Sequence, residues 1–137
     1  MVINQGLELR KNMSDVIVKK SKISGRGVFA AREYKKGEVI LRWNLNRIVS
    51  KQQRNNLSTW QKEHTICLGR GKYAILRSPE RFINHSCDPN THVKNFCDVA
   101  VKKIRKGEEI TGNYFQEYST IKGMKCKCGS KNCRSVV

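Results

Sequence analysis

The sequence predicts a mostly β domain of small, curved sheets with a few short helices. Three observations lead there. Short runs rich in Val, Ile, Phe and Tyr recur between glycine-centred turn signals about every ten residues. Only one stretch carries a start signal for a longer helix. The 137 residues suffice for one domain with a modest core.

Residues 1–14 are polar and weakly patterned, which predicts an N-terminal lead-in. Val16-Ile17-Val18 is a β-rich run that Ser24-Gly25-Arg26-Gly27 breaks and Val28-Phe29-Ala30-Ala31 resumes, giving strand, tight turn and strand. Lys35-Lys36-Gly37-Glu38 is a second turn, followed by a strand over Val39-Ile40-Leu41-Arg42-Trp43. A similar pattern returns as Val99-Ala100-Val101, then Arg105-Lys106-Gly107-Glu108, then Ile110. One hairpin design is used twice, well short of a repeat array.

Between them, Ser50-Lys51-Gln52-Gln53 fits a capping box in which Gln53 reaches back to Ser50. The helix it starts is expected to end near Leu57 or Trp60. Ile66-Cys67-Leu68, Gly69-Arg70-Gly71-Lys72 and Tyr73-Ala74-Ile75-Leu76 read as strand, turn and strand. Ser78-Pro79-Glu80 then reads as a short helix start, with Ser78 as N-cap, Pro79 at the first helical position and Glu80 beside the positive dipole end. Asp88-Pro89-Asn90 is a turn signal, so Asn84, His85 and Cys87 are expected near the end of a single turn, facing one cavity.

Lys and Arg number 28 against 11 Asp and Glu, a formal charge of +17. Such an excess attracts polyanions or acidic partners. No apolar run is long enough for a membrane span. Met1-Val2-Ile3-Asn4-Gln5 lacks the basic and apolar regions of a secretory signal. On that reading the six cysteines are thiols or metal ligands rather than disulfides.

Four motifs follow in order: Gly25-Arg26-Gly27-Val28-Phe29-Ala30, then Arg81-Phe82-Ile83-Asn84-His85-Ser86-Cys87-Asp88-Pro89-Asn90, then Gly107-Glu108-Glu109-Ile110-Thr111-Gly112-Asn113-Tyr114, and a tail from Cys126 to Arg134. Taken alone, Gly25-Arg26-Gly27 is a hairpin turn without phosphate-loop spacing, and an Asn-His pair is more often structural. The tail places Cys126, Cys128 and Cys133 within eight residues, a spacing that suits tetrahedral zinc. A structural site needs a fourth ligand, and Cys67, Cys87 and Cys97 are the candidates, while a redox-active cluster is the alternative.

Together the motifs resemble the SET-domain protein-lysine methyltransferases with a post-SET tail, from about Val16 to Arg134. The resemblance implies a SET domain over 15–118, a post-SET tail over 119–137, and a C-terminal segment threaded beneath a loop as a pseudoknot. It implies S-adenosylmethionine as cofactor, cradled by Gly25, Arg26 and Gly27 and held by Arg81, Asn84, His85 and Tyr114. Tyr114 matches the family's catalytic tyrosine, whose hydroxyl lies beside the methyl group and the amine. Cys87 matches the fourth ligand of one structural zinc completed by Cys126, Cys128 and Cys133. Where many members carry Phe or Tyr this chain has Gly112, which leaves the number of methyl groups transferred open. The cysteine-rich segment that precedes many chromatin enzymes is not seen, so compact prokaryotic or viral versions look closer.

The partner implied is a protein presenting a lysine, histone-like or other, with sequence-blind nucleic acid contact and no membrane. The location implied is intracellular: cytoplasmic in a prokaryote, nuclear or chromosomal in a eukaryote or a virus within its host. Two alternatives compete, a catalytically weak basic nucleic-acid-binding protein on the same scaffold and a zinc-ribbon interaction module.

Overall fold

The computed structural model describes residues 15–113 together with 130, 131 and 133. Ten short strands run through them: β1 (Val16–Lys20), β2 (Arg26–Ala30), β3 (Val39–Arg42), β4 (Ile48–Ser50), β5 (Thr65–Gly69), β6 (Lys72–Ile75), β7 (Asn84–His85), β8 (Thr91–Lys94), β9 (Cys97–Ala100) and β10 (Glu109–Gly112). They form three small sheets, ordered β1-β2-β10-β7, β3-β9-β8 and β4-β6-β5. All pairings are antiparallel except β7 with β10, which is parallel. The mostly β expectation holds. The segment expected to thread beneath a loop, beyond Asn113, and the lead-in over 1–14 lie outside the described residues.

The first two sheets share one core. Val28, Ile104 and Ile110 are fully buried and pack with Tyr34, Ile40, Leu41, Ile83 and Ala100. Burial of each large aliphatic side chain contributes roughly 1.5–3 kcal/mol, so the core fixes how β2, β10 and the stretch before β7 lie together.

The twice-used hairpin is a structural fact. Ala30, Tyr34, Gly37, Glu38 and Ile40 correspond at constant offset to Ala100, Ile104, Gly107, Glu108 and Ile110. The hydrogen bonds are reciprocal. Gly37 N donates to Ala100 O and Gly107 N to Ala30 O, each at 2.8 Å. Ala100 N donates to Glu38 O and Ala30 N to Glu108 O, each at 2.9 Å. At the centre, Tyr34 and Ile104 exchange backbone bonds of 2.8 and 2.9 Å. Both turn glycines sit at φ 91°, a region glycine enters without steric cost.

The helices depart from expectation in three places. The capping box of Ser50 and Gln53 forms, but the helix it opens, α1 (Lys51–Asn55), stops before Leu57. A second capping box, Ser58 with Gln61, starts a separate helix α2 (Thr59–Glu63). Ser-x-x-Gln is readable there, but the sequence reading predicts only one helix in this stretch, ending near Leu57 or Trp60. Third, Pro79 rather than Ser78 occupies the N-cap of a single 3-10 turn, Glu80–Phe82, with no side-chain cap. Asn84 and His85 follow in β7, not in a helical turn, because Thr111 and Gly112 of β10 supply a pairing edge. Arg26 and Gly27 likewise belong to β2, and the turn lies before them.

Candidate functional site

Two motifs far apart in sequence meet at the edge of the four-stranded sheet. β7 lies parallel to β10, with Asn84 opposite Thr111 and His85 opposite Gly112. Ser86 N extends the ladder by donating to Gly112 O at 2.8 Å. From β7 the side-chain amide of Asn84 donates to Ser24 O and Arg26 O, both at 3.0 Å. It therefore grips the backbone on both sides of Gly25. Gly25 itself has φ +44°, and a Cβ there would meet no described residue within 4 Å beyond its chain neighbours. This turn offers open space beside bare backbone, the surroundings a bound ligand requires.

Gly27 behaves differently. A Cβ on Gly27 would run into the Glu109 carboxylate and crowd Ser21. Its missing side chain makes room for a half-buried polar junction. Ser21 Oγ donates to the two Glu109 oxygens at 2.7 and 2.9 Å, and Asn84 Nδ2 donates to Glu109 Oε2 at 2.9 Å. Asn90 secures the strand that carries Glu109: its amide donates to Glu109 O at 2.8 Å, and its carbonyl accepts from Thr111 N at 2.9 Å. Thr91 Oγ1 adds a bond of 2.8 Å to Thr111 O. Sequence reasoning missed Glu109, Ser21 and Asn90 in these roles. The adjacent acids Glu108 and Glu109 were the available signal, because two neighbours in an extended chain point to opposite sides.

His85 is buried, 2% exposed, and its side chain leaves β7 on the face opposite to that of Asn84. Its Nε2 lies 3.4 Å from Cys87 Sγ. Cys87 is half-buried just past β7, and Cys133 is also half-buried. Cys126, Cys128 and Tyr114 lie outside the described residues. Among the described residues no three His, Cys, Asp or Glu side chains gather as a metal site. Cys67 and Cys97 lie in strands β5 and β9, as expected of small apolar residues.

Arg81 stands beside this region. Its guanidinium lies over the rings of Phe82 and Trp60, at 4.7 and 5.3 Å from their centroids. Its Nε is buried and has no hydrogen-bond partner among the described residues. Elsewhere in the fold two buried carboxyls, Asp98 and Glu80, lie near each other. Trp43 Nε1 donates to Asp98 Oδ2 at 2.7 Å, and Asn44 N donates to Glu80 Oε2 at 2.7 Å. Burial pushes the Asp98 carboxyl up to about 7; the Trp43 bond opposes that rise and the nearby Glu80 adds to it. Burial also raises Glu80, against the bond from Asn44 N.

This fold and motif arrangement define a known class. The SET-domain family model matches residues 25–115, and the chain belongs to that family. Among individual relatives, the Variant-silencing SET domain-containing protein of Plasmodium falciparum is 30% identical over 141 residues, covering 88% of this chain and 6% of its own length. The H3 lysine-36 specific histone-lysine N-methyltransferase of Saccharomyces cerevisiae is 29% identical over 140 residues, covering 90% of this chain and 19% of its own length. Human histone-lysine N-methyltransferase 2B is 29% identical over 143 residues, covering 92% of this chain and 5% of its own length. This chain thus spans a small part of each relative's length. In solved structures the fold matches apo ctPRC2 with two substitutions in Ezh2 (TM-score 0.67, 22% identity, 77% of this chain and 15% of that one). It also matches autoinhibited ctPRC2 bound to S-adenosylmethionine (TM-score 0.64, 24% identity, 77% of this chain and 16% of that one).

Proposed function

We propose that this chain is an S-adenosylmethionine-dependent protein-lysine N-methyltransferase. One observation carries the reading: the Asn84 amide joins the open Gly25 turn to the strand pair β7 and β10, and β10 leads within two residues to Tyr114. Family membership and relatives that are histone-lysine methyltransferases support the same activity.

In this reading the Gly25-Arg26 backbone and Asn84 receive the cofactor, with Arg81 offering an Nε–H that no described residue engages. Gly27 supports the site by leaving room for the Glu109 carboxylate that holds Asn84. S-adenosylmethionine supplies an electrophilic methyl group on a sulfonium, with a thioether as leaving group. The lysine nitrogen must arrive with a free electron pair, whereas free lysine has a pKa of about 10.4. A desolvated position near a positive charge lowers that value. Tyr114 positions the amine for in-line attack, so catalysis comes mainly from alignment. Gly112 leaves the number of transfers to be measured.

The donor set Cys87, Cys126, Cys128 and Cys133 fits one structural zinc, because four thiolates satisfy its tetrahedral preference. Cys87 follows β7 directly, so the metal would fasten the post-SET tail, 119–137, to the cofactor strand of the SET domain, 15–118. The substrate class is a lysine-bearing protein, histone-like proteins first, and the setting is chromatin or its equivalent. The charge of +17 adds a sequence-blind contact with nucleic acid that brings the enzyme to nucleoprotein.

Radiolabelled methyl transfer into whole lysate tests the activity, with Tyr114→Phe as control. Label on lysine that disappears in the variant is the expected result. No transfer by wild-type protein that binds the cofactor would leave the alternative, a nucleic-acid-binding protein on a SET scaffold.

A further inference from the structure

We propose that the two Gly-Glu turns of the duplicated hairpin, Lys35-Lys36 and Arg105-Lys106, form one paired binding site for the phosphate backbone of duplex nucleic acid. This rests on the nucleic acid contact read above from net charge, and it assigns that contact to a place in the fold.

The two turns are held in fixed relation. Tyr34 and Ile104, 1% and 0% exposed, join their segments through a reciprocal pair of backbone bonds. Gly37 and Gly107 tie each turn to the other segment's neighbour, Ala100 or Ala30. A rigid pair loses little conformational entropy when it binds, apart from the side chains themselves.

Positive charge at the turns is left over after the local acids are used. Glu38 accepts from Lys35 N at 3.1 Å and from Arg32 at 3.0 Å. The Lys35 N–H first, and Arg32 next, hold the Glu38 carboxyl below its ordinary value. Glu108 accepts from Arg105 N at 3.2 Å. Glu33 is engaged by Lys103 at 3.0 Å. The acids therefore serve the turn backbones or other cations. Lys35, Lys36, Arg105 and Lys106 are all exposed, and none makes an ion pair with a described residue.

Equivalent cations repeated by a local two-fold relation suit a duplex, whose two backbones are themselves related by two-fold axes. Neither turn offers a helix or aromatic platform to base edges, so the contact is to phosphate and blind to sequence. Each phosphate neutralised releases counterions and adds about 0.9 to the slope of log affinity against log salt.

The test is titration of a duplex DNA of about 20 base pairs at several salt concentrations. It compares wild type, Lys35→Gln with Lys36→Gln, Arg105→Gln with Lys106→Gln, and the four changes combined. Thermal melting of each variant checks folding. Each pair is expected to flatten the slope by up to roughly 2, and the combination by up to roughly 4. Wild-type binding that the fourfold variant retains at full slope would overturn the assignment while leaving nucleic acid contact in place, on Lys19, Lys20 and Lys22 or the tail. Loss confined to one turn would overturn the paired site. No binding by wild type at low salt would overturn both the site and the contact.

Discussion

The side-chain amide of Asn84 lies 2.9 Å from the carboxylate of Glu109, and that carboxylate also accepts from Ser21. Glu109 is thus the hub that aims Asn84 at the backbone around Gly25. Glu109→Ala leaves donors on Asn84 and Ser21 without their acceptor, at a cost of about 1–3 kcal/mol. Denaturant unfolding is expected to show that loss, and calorimetry a weaker cofactor affinity. Glu109→Gln keeps one acceptor oxygen and is expected to fall between. Wild-type stability and affinity in Glu109→Ala would remove the hub from the account.

Gly25 and Gly27 are expected to respond to alanine for different reasons. Gly27→Ala drives a methyl group into the Glu109 carboxylate, an overpacking cost of about 1–3 kcal/mol. Gly25→Ala meets open space but must hold φ +44°, a strain of about 1 kcal/mol. Chemical denaturation of the two variants separates them. Gly27→Ala with unchanged stability would contradict the packing seen here.

Asp98 gives a pH dependence of definite sign. Its carboxyl is held up to about 7 in the folded protein, against about 3.9 in an unfolded chain. Between those values the folded protein keeps a proton that the unfolded chain has released. Stability therefore falls as pH rises through this window, and the full cost is present by pH 8. Asp98→Asn cannot ionise and can still accept from Trp43. It is expected to gain up to about 4 kcal/mol at pH 8 and to lose most of the slope from pH 4 to 7. A parallel pH profile for the two proteins would show that Asp98 titrates normally.

Metal analysis of purified protein is expected to find about one zinc equivalent. Cys87→Ser is expected to lower zinc affinity, and chelation to reduce methyl transfer more than it unfolds the sheets. Undiminished affinity in Cys87→Ser would move the fourth ligand to Cys67 or Cys97.

What could be read from the sequence was local chemistry. Turn glycines at Gly37 and Gly107, the Ser50–Gln53 cap and the duplicated hairpin all follow from residue type and spacing. The motifs that meet at the site were also visible as segments. What could not be read was pairing at a distance. Asn84 and His85 form a strand only because Thr111 and Gly112 lie parallel to them, and no local signal encodes a parallel partner. Ser78 failed as a cap because Pro79 took the N-cap position and Glu80 turned its carboxylate to Asn44. Asp98 would read as a solvent-facing strand residue, yet it is 1% exposed, with Trp43 on one oxygen.

If the Gly25 turn and Asn84 together make a cofactor site, calorimetric titration of S-adenosylmethionine will show it. Wild-type protein is expected to bind in the micromolar range common to enzyme ligands. Asn84→Ala, which removes the bonds to Ser24 O and Arg26 O, is expected to bind at least tenfold more weakly while melting as a folded protein. Equal affinity in a folded Asn84→Ala variant, or no binding by wild type, would contradict the account.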